Sequence, residues 1–212
     1  MKIAILGAEC SGKTTLAKRL VAKLTGQGFS ACGVDEALRE WCATQQRTPQ
    51  ASEQLEIALL QIERFHNAPT CDYLIADTSA LMTAIYSEVL FNDVSLYPLA
   101  LKDQQRFDLV CVMGLDLPWV ADGIQRDGLA MQAKVDTQLR HILQSQGITF
   151  SVIYGTGDER LHNAMAALAN AQHLPQATNA RQTPWQWVCD KCSDAQCEHR
   201  TFSALLEAQP KP

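Results

Sequence analysis

The sequence predicts an α/β fold, a parallel sheet of about five strands with helices on both faces, followed by a short cysteine-rich C-terminal extension. Three observations carry this. Short apolar runs such as Ile3-Ala4-Ile5-Leu6 and Tyr73-Leu74-Ile75-Ala76 are bounded by turn signals, as buried strands are. Amphipathic helical stretches separate them, the pattern of βαβ units. A glycine-rich segment, "GAECSGKTTL" at residues 7–16, follows the first strand.

That segment fits G-x-x-x-x-G-K-[ST] at Gly7, Gly12, Lys13 and Thr14. In such a loop the glycines allow a tight turn that points successive N–H groups at the β-phosphate. Lys13 reaches the β and γ oxygens, and Thr14 offers a hydroxyl to Mg²⁺. The helix N-terminus adds a favourable dipole. The fold class is therefore that of a P-loop NTPase. Leu16, Leu20 and Leu24 continue at helical spacing until Gly26 and Gly28 stop the helix.

Further along, residues 30–34 suit a strand and 36–46 a short helix, with Thr48-Pro49 as a break. Ser52 is placed to cap a helix whose Leu55, Leu59 and Ile62 share one face. The strand at 73–76 ends at Asp77, and a helix follows Ser79. Residues 109–113 and 150–154 make two more strands, with a helix over about 132–144 that turns Val135, Leu139 and Ile142 inward. Asp158 begins a last helix. Ligands of such sheets sit at the carboxyl ends of the strands, which puts Gly7–Thr14, Asp77 and the loops after Val34 and Met113 on one rim.

The chain has 212 residues, 47% of them apolar, enough for one core plus an appendage. A formal net charge of −5 argues against a nucleic-acid groove and favours a small-molecule partner. No apolar run approaches the roughly 20 residues that span a bilayer, and Met1-Lys2 leads directly into the first strand. A cytoplasmic protein without membrane partners is expected. Cys10, Cys32, Cys42, Cys71 and Cys111 are scattered singly and read as small buried hydrophobes rather than bridges.

Asp77, a carboxylate ending an apolar strand, suits the Mg²⁺ side of a phosphate site. Capping the next helix is its other role. In "VDEALREW" at 34–41, a carboxylate of Asp35, Glu36 or Glu40 could take a proton from an acceptor hydroxyl and Arg39 could orient a phosphate or sugar. Exposed helix ion pairs are the alternative there. "PWVADGIQRDG" at 118–128 combines Trp119, Asp122 and Arg126 where a loop can close over a nucleotide and bring an arginine to the γ-phosphate.

"GAECSGKTTL", "EALREW", "IADTSALMTAIY" and "RFDLVCVMGLDLPWVADG" occur in the order expected of the ribosylnicotinamide kinase domain of NadR-type proteins, which residues 1–168 resemble. The resemblance implies ATP-dependent phosphorylation of the 5′-hydroxyl of nicotinamide riboside. It implies that Gly12, Lys13, Thr14 and Thr15 hold ATP phosphates and Mg²⁺, and that Asp77 is the strand-end aspartate. Glu36, Arg39 and Glu40 would lie on the substrate side, with Trp119 and Asp122 leading into a lid. Lys13, Asp77, Glu36 and Arg126 form the expected catalytic set. Two positions depart from the family pattern: Ser79 stands where Asp-Thr-Asp has its second carboxylate, and Gln125 precedes an arginine displaced to Arg126.

From about residue 173 the periodic pattern ends, which divides the chain into a nucleotide-binding domain at 1–172 and a linker and tail at 173–212. Cys189, Cys192, Cys197 and His199 supply the Cys₃His set of tetrahedral structural zinc within 11 residues. A reducible disulfide is the alternative. Trp185, Trp187, Phe202, Leu205 and Leu206 suit packing on the core or on a second subunit of a homo-oligomer. A nucleoside kinase leads the function classes. A regulatory ATPase acting through its tail and a zinc-stabilised interaction protein are the others.

Overall fold

The computed structural model describes residues 1–118 and 128–173, and residues Met1–Gln172 make one compact unit. Trp119, Asp122, Gln125 and Arg126, and the tail with Cys189, Cys192, Cys197 and His199, lie outside the described residues.

In chain order the elements are β1 (Lys2–Leu6), α1 (Lys13–Gly26), β2 (Ala31–Val34), α2 (Ala37–Gln45), α3 (Gln54–His66), β3 (Tyr73–Asp77), α4 (Ala80–Phe91), α5 (Tyr97–Gln104), β4 (Leu109–Met113), α6 (Leu129–Ser145), β5 (Ser151–Ile153) and α7 (Gly157–His173). The five strands are ordered β2-β3-β1-β4-β5 and every pairing is parallel. β1 sits at the centre, so the loop that follows it opens in the middle of the carboxyl rim.

Alternation along each strand divides the core into two layers. Ile3 and Ile5 of β1, Ile75 of β3 and Cys111 and Met113 of β4 pack with Leu16, Leu20 and Leu24 of α1 and Ala164 and Leu168 of α7. Ala4 and Leu6, with Val110 and Val112, face the other way onto Leu81, Ile85, Val135, Leu139 and Leu143. Each central strand is therefore covered on both sides, which is why it reads as a continuous apolar run. No helix among the described residues is long and apolar enough to cross a membrane.

Several details differ from the expectations. α3 starts one residue later than a Ser52 cap implies. It is preceded by a 3₁₀ turn at Ala51–Glu53 whose capping box is made by Gln50 and Glu53. Its buried residues are Gln54, Ile57, Ala58, Gln61 and Phe65, whereas Leu55 and Leu59 are 49% and 47% exposed. Two polar residues complete the buried face, so apolar spacing pointed to the wrong side. In α6, Leu143 is fully buried and Ile142 only packs at the margin. α5, absent from the expectations, is a short helix with proline in its first turn and a weak apolar pattern. Cys42 and Cys111 are buried, as small hydrophobes should be, while Cys10, Cys32 and Cys71 are half-buried.

Candidate active site

The loop between β1 and α1 is shaped by close approach. A Cβ on Gly7 would lie 2.9 Å from Met113 Cβ on β4. Gly12 caps α1 in the left-handed region at φ 84°, where an L side chain is strained. Ser11 Oγ donates to the Ala8 carbonyl at 2.7 Å. The backbone is thus fixed as a concave turn that leads into a helix N-terminus, the geometry that accepts an anion. Lys13 is buried, and its ammonium donates to the carbonyls of Gly7 at 2.8 Å and Ala8 at 2.9 Å, spanning the loop it serves.

Asp77 ends β3 in register with Ile5 of β1. Strand alternation sends its side chain to the same face as Ile75, the face covered by α1. Thr14, Lys18, Asp35 and Asp77 accordingly line one cleft between α1 and the β2–β3 edge. Asp77 is 3% exposed and its Oδ1 has no hydrogen-bond partner. A buried carboxylate oxygen without a partner is costly unless something satisfies it, and a hydrated divalent cation beside a threonine hydroxyl does so. Thr14 and Asp77 fit Mg²⁺ on this ground. The cap of α4 is made by Ser79, whose Oγ accepts from the Leu81 amide at 3.3 Å, which leaves Asp77 to other work. Ser79 Oγ also donates to Gln104 Oε1 at 2.7 Å and is buried.

Of the residues expected on the substrate side, Glu36 stands at the start of α2 and makes no side-chain cap. Arg39 pairs with it at 3.5 Å, three residues apart on the helix. Glu40 turns instead to Arg64 of α3 at 2.7 Å. The structure therefore keeps Glu36 and Arg39 together and directs Glu40 to a bond between helices. Gln61 of α3 pins this region, accepting from the Ala37 amide at 2.7 Å. Gln61 is buried.

Two further groups were not legible as site residues. Arg160 of α7, 5% exposed, donates to the Ser11 carbonyl within the loop and to the Gly155 carbonyl at 2.6 Å, and pairs with Asp116 beyond β4. Asp116 also accepts from the Gly155 amide. The signal available was spacing: Arg160, Ala164 and Leu168 recur every four residues, so a charge occupies the buried stripe of α7. The second is Glu9 inside the phosphate loop, hydrogen-bonded to Tyr86 of α4 at 2.7 Å.

The sequence profile of a family described as an AAA domain matches residues 2–160. The trifunctional NAD biosynthesis/regulator protein NadR of Salmonella typhimurium is 28% identical over 151 residues, and that of Escherichia coli 28% over 158 residues. Each match takes in 70% of this chain but 37% of the relative, so the chain spans little more than a third of the length of these curated relatives. Among solved structures, a NadR protein in complex with NAD and AMP-PNP superposes with a TM-score of 0.65 at 18% identity, over 87% of this chain and 51% of that one. A NadR protein in complex with NR gives 0.65 at 20% identity, over 82% and 51%. The deoxyadenosine kinase of M. mycoides gives 0.57 at 16% identity, over 80% of this chain and the whole of that chain. At these identities the structures establish a shared fold.

Proposed function

The chain belongs to the AAA-domain family, and on that premise we propose that it is an ATP-dependent small-molecule kinase whose acceptor is nicotinamide riboside, phosphorylated at the 5′-hydroxyl. The observation that carries the proposal is the cleft shared by Thr14 and the buried, unpartnered Asp77, directly beside the phosphate loop. Relatives named for NAD biosynthesis in two cases, and one bound to NR, support the choice of acceptor.

Each residue then has a definite task. The amides from Gly7 to Thr14 hold the β-phosphate, and the Lys13 ammonium exchanges its two carbonyl acceptors for phosphate oxygens, which bear charge and bind it more strongly. Thr14 and Asp77 would hold Mg²⁺, which would supply neutralisation of the charge that develops on the transferring phosphoryl group. Glu36, oriented by Arg39, is the candidate base for the acceptor hydroxyl. Trp119, Asp122 and Arg126 belong to the lid in this reading, which excludes water from the transfer. Cys189, Cys192, Cys197 and His199 are proposed to hold a structural zinc ion in the tail.

The test is ATP turnover by the purified protein with Mg²⁺, without acceptor and then with a panel of nucleosides including nicotinamide riboside, with the phosphorylated product detected directly. Product that depends on nicotinamide riboside is the expected result. Hydrolysis unchanged by every acceptor replaces the kinase with a regulatory ATPase.

A further inference from the structure

Glu9 is the third residue of the phosphate loop, at a position where phosphate binding requires only the backbone. A carboxylate there opposes the charge of a triphosphate, so ATP does not account for it. The fold nevertheless fixes it from two directions. Tyr86 Oη on α4 donates to Glu9 Oε2 at 2.7 Å, and Gln132 Nε2 on α6 donates to the Glu9 carbonyl at 2.8 Å. The remaining oxygen, Oε1, is buried with no hydrogen-bond partner. Burial and the negative charges of Glu9 and Glu36 push the Tyr86 phenol well above its ordinary range, so it stays a donor. Where β3 ends next to β1, Thr78 is 5% exposed and its hydroxyl also lacks a partner. Its backbone is held at φ 86°, a costly conformation for a β-branched residue and one that marks functional loops.

We propose that Glu9 is a specificity-determining residue for the phosphate acceptor: Oε1 accepts a hydrogen bond from a sugar hydroxyl of a nucleoside, while Tyr86 holds the carboxylate in position. The inference rests on the kinase reading and deepens it. A hydroxyl satisfies the one carboxylate oxygen, Oε1, that no protein atom satisfies, and the energy of a charge-assisted bond becomes acceptor affinity. Glu9 and Glu36 together make this side acidic, which favours a neutral or cationic nucleoside and disfavours a nucleotide carrying its own phosphate. Glu9 is thus a positioning residue, and Glu36 keeps the role of base.

Steady-state kinetics of the wild type, Glu9→Gln, Glu9→Ala and Tyr86→Phe tests this, with the nucleoside that the wild type phosphorylates best as acceptor and the product detected directly. Loss of one hydrogen bond to a charged group raises the acceptor KM about tenfold to a hundredfold in Glu9→Ala. Glu9→Gln, which keeps an acceptor oxygen, falls between that variant and the wild type, and Tyr86→Phe raises the acceptor KM several-fold. The KM for ATP stays within about twofold throughout. An unchanged acceptor KM in Glu9→Ala and Glu9→Gln overturns the inference while leaving the kinase reading intact. So does an equal rise in both KM values, the sign of a merely distorted loop. A fall in kcat at constant KM would instead make Glu9 the base. A wild type that phosphorylates no nucleoside removes the kinase reading and the inference together.

Discussion

Arg160 and Ser11 stand 149 residues apart in sequence, yet the guanidinium of the first donates to the backbone carbonyl of the second inside the phosphate loop. The other edge of the same guanidinium is held by Asp116, which follows β4. One buried side chain therefore braces the phosphate loop against the segment that precedes the proposed lid. The loop is stiff because α7 reaches across to it, and not only because its glycines allow the turn.

Arg160→Ala should therefore injure stability and nucleotide binding together. Removing one partner of a buried pair costs about 3–5 kcal/mol, and the partial exposure of Asp116 brings the expectation down to about 2–3 kcal/mol. Urea denaturation measures the first effect and the KM for ATP the second, which should rise several-fold. An ATP KM unchanged in a folded variant would mean that the brace does not act on the loop.

Ser79 makes a separate prediction. Its hydroxyl caps α4 and bonds the buried Gln104 side chain, so Ser79→Ala should cost about 1–2 kcal/mol by thermal or urea melts. Ser79→Asp keeps a capping acceptor but cannot donate to Gln104 Oε1 and buries a charge, so it should cost at least as much as the alanine variant. An alanine variant as stable as the wild type would show that neither bond matters in solution.

How far the site could be read in advance depended on whether its signal was local. Gly7, Gly12, Lys13 and Thr14 lie within one loop, and the apolar strands before Asp77 and through Met113 announced themselves because both faces of each are buried. Arg160, Glu9 and Gln61 were not legible as site residues, since each acts through a partner on a distant element: Ser11 and Asp116, Tyr86, and Ala37. Leu55 and Leu59 misled for the converse reason. Spacing identifies a shared helix face, but Gln61, bonded to the Ala37 amide, shows that a hydrogen-bonded polar residue can belong to the buried one.

The turn before α3 carries a pH signature. Arg47 donates to both oxygens of Glu53, and the Gln50 amide adds a third bond, which together hold the Glu53 carboxyl down at about 2. Because the folded value lies below the unfolded one of about 4.5, this contribution to stability is fully present above that pH and fades as pH falls toward 2. Carboxyl titration by NMR should find Glu53 near 2 in the wild type and displaced upward in Arg47→Ala. Identical titrations would mean that the bridge is not formed in solution.

Lys13 and Asp77 give the most direct prediction about chemistry, and Asp77 gives one about stability as well. Lys13→Ala removes the cation for the β and γ oxygens, and phosphoryl transfer should be abolished; full turnover by this variant would defeat the kinase reading outright. Asp77→Asn should lower transfer by at least about two orders of magnitude, because a neutral amide is a poor partner for Mg²⁺. The same change removes a buried charge whose Oδ1 has no partner, so the protein without nucleotide should become more stable, by about 1–3 kcal/mol. Opposite signs for activity and stability are what a residue kept for its ligand produces. Melts of both variants with and without Mg²⁺ and ATP separate the cases: the wild type should gain stability from the pair of ligands, and Asp77→Asn should start higher and gain less. An asparagine variant that is both less active and less stable would show that Asp77 serves the fold before it serves the metal.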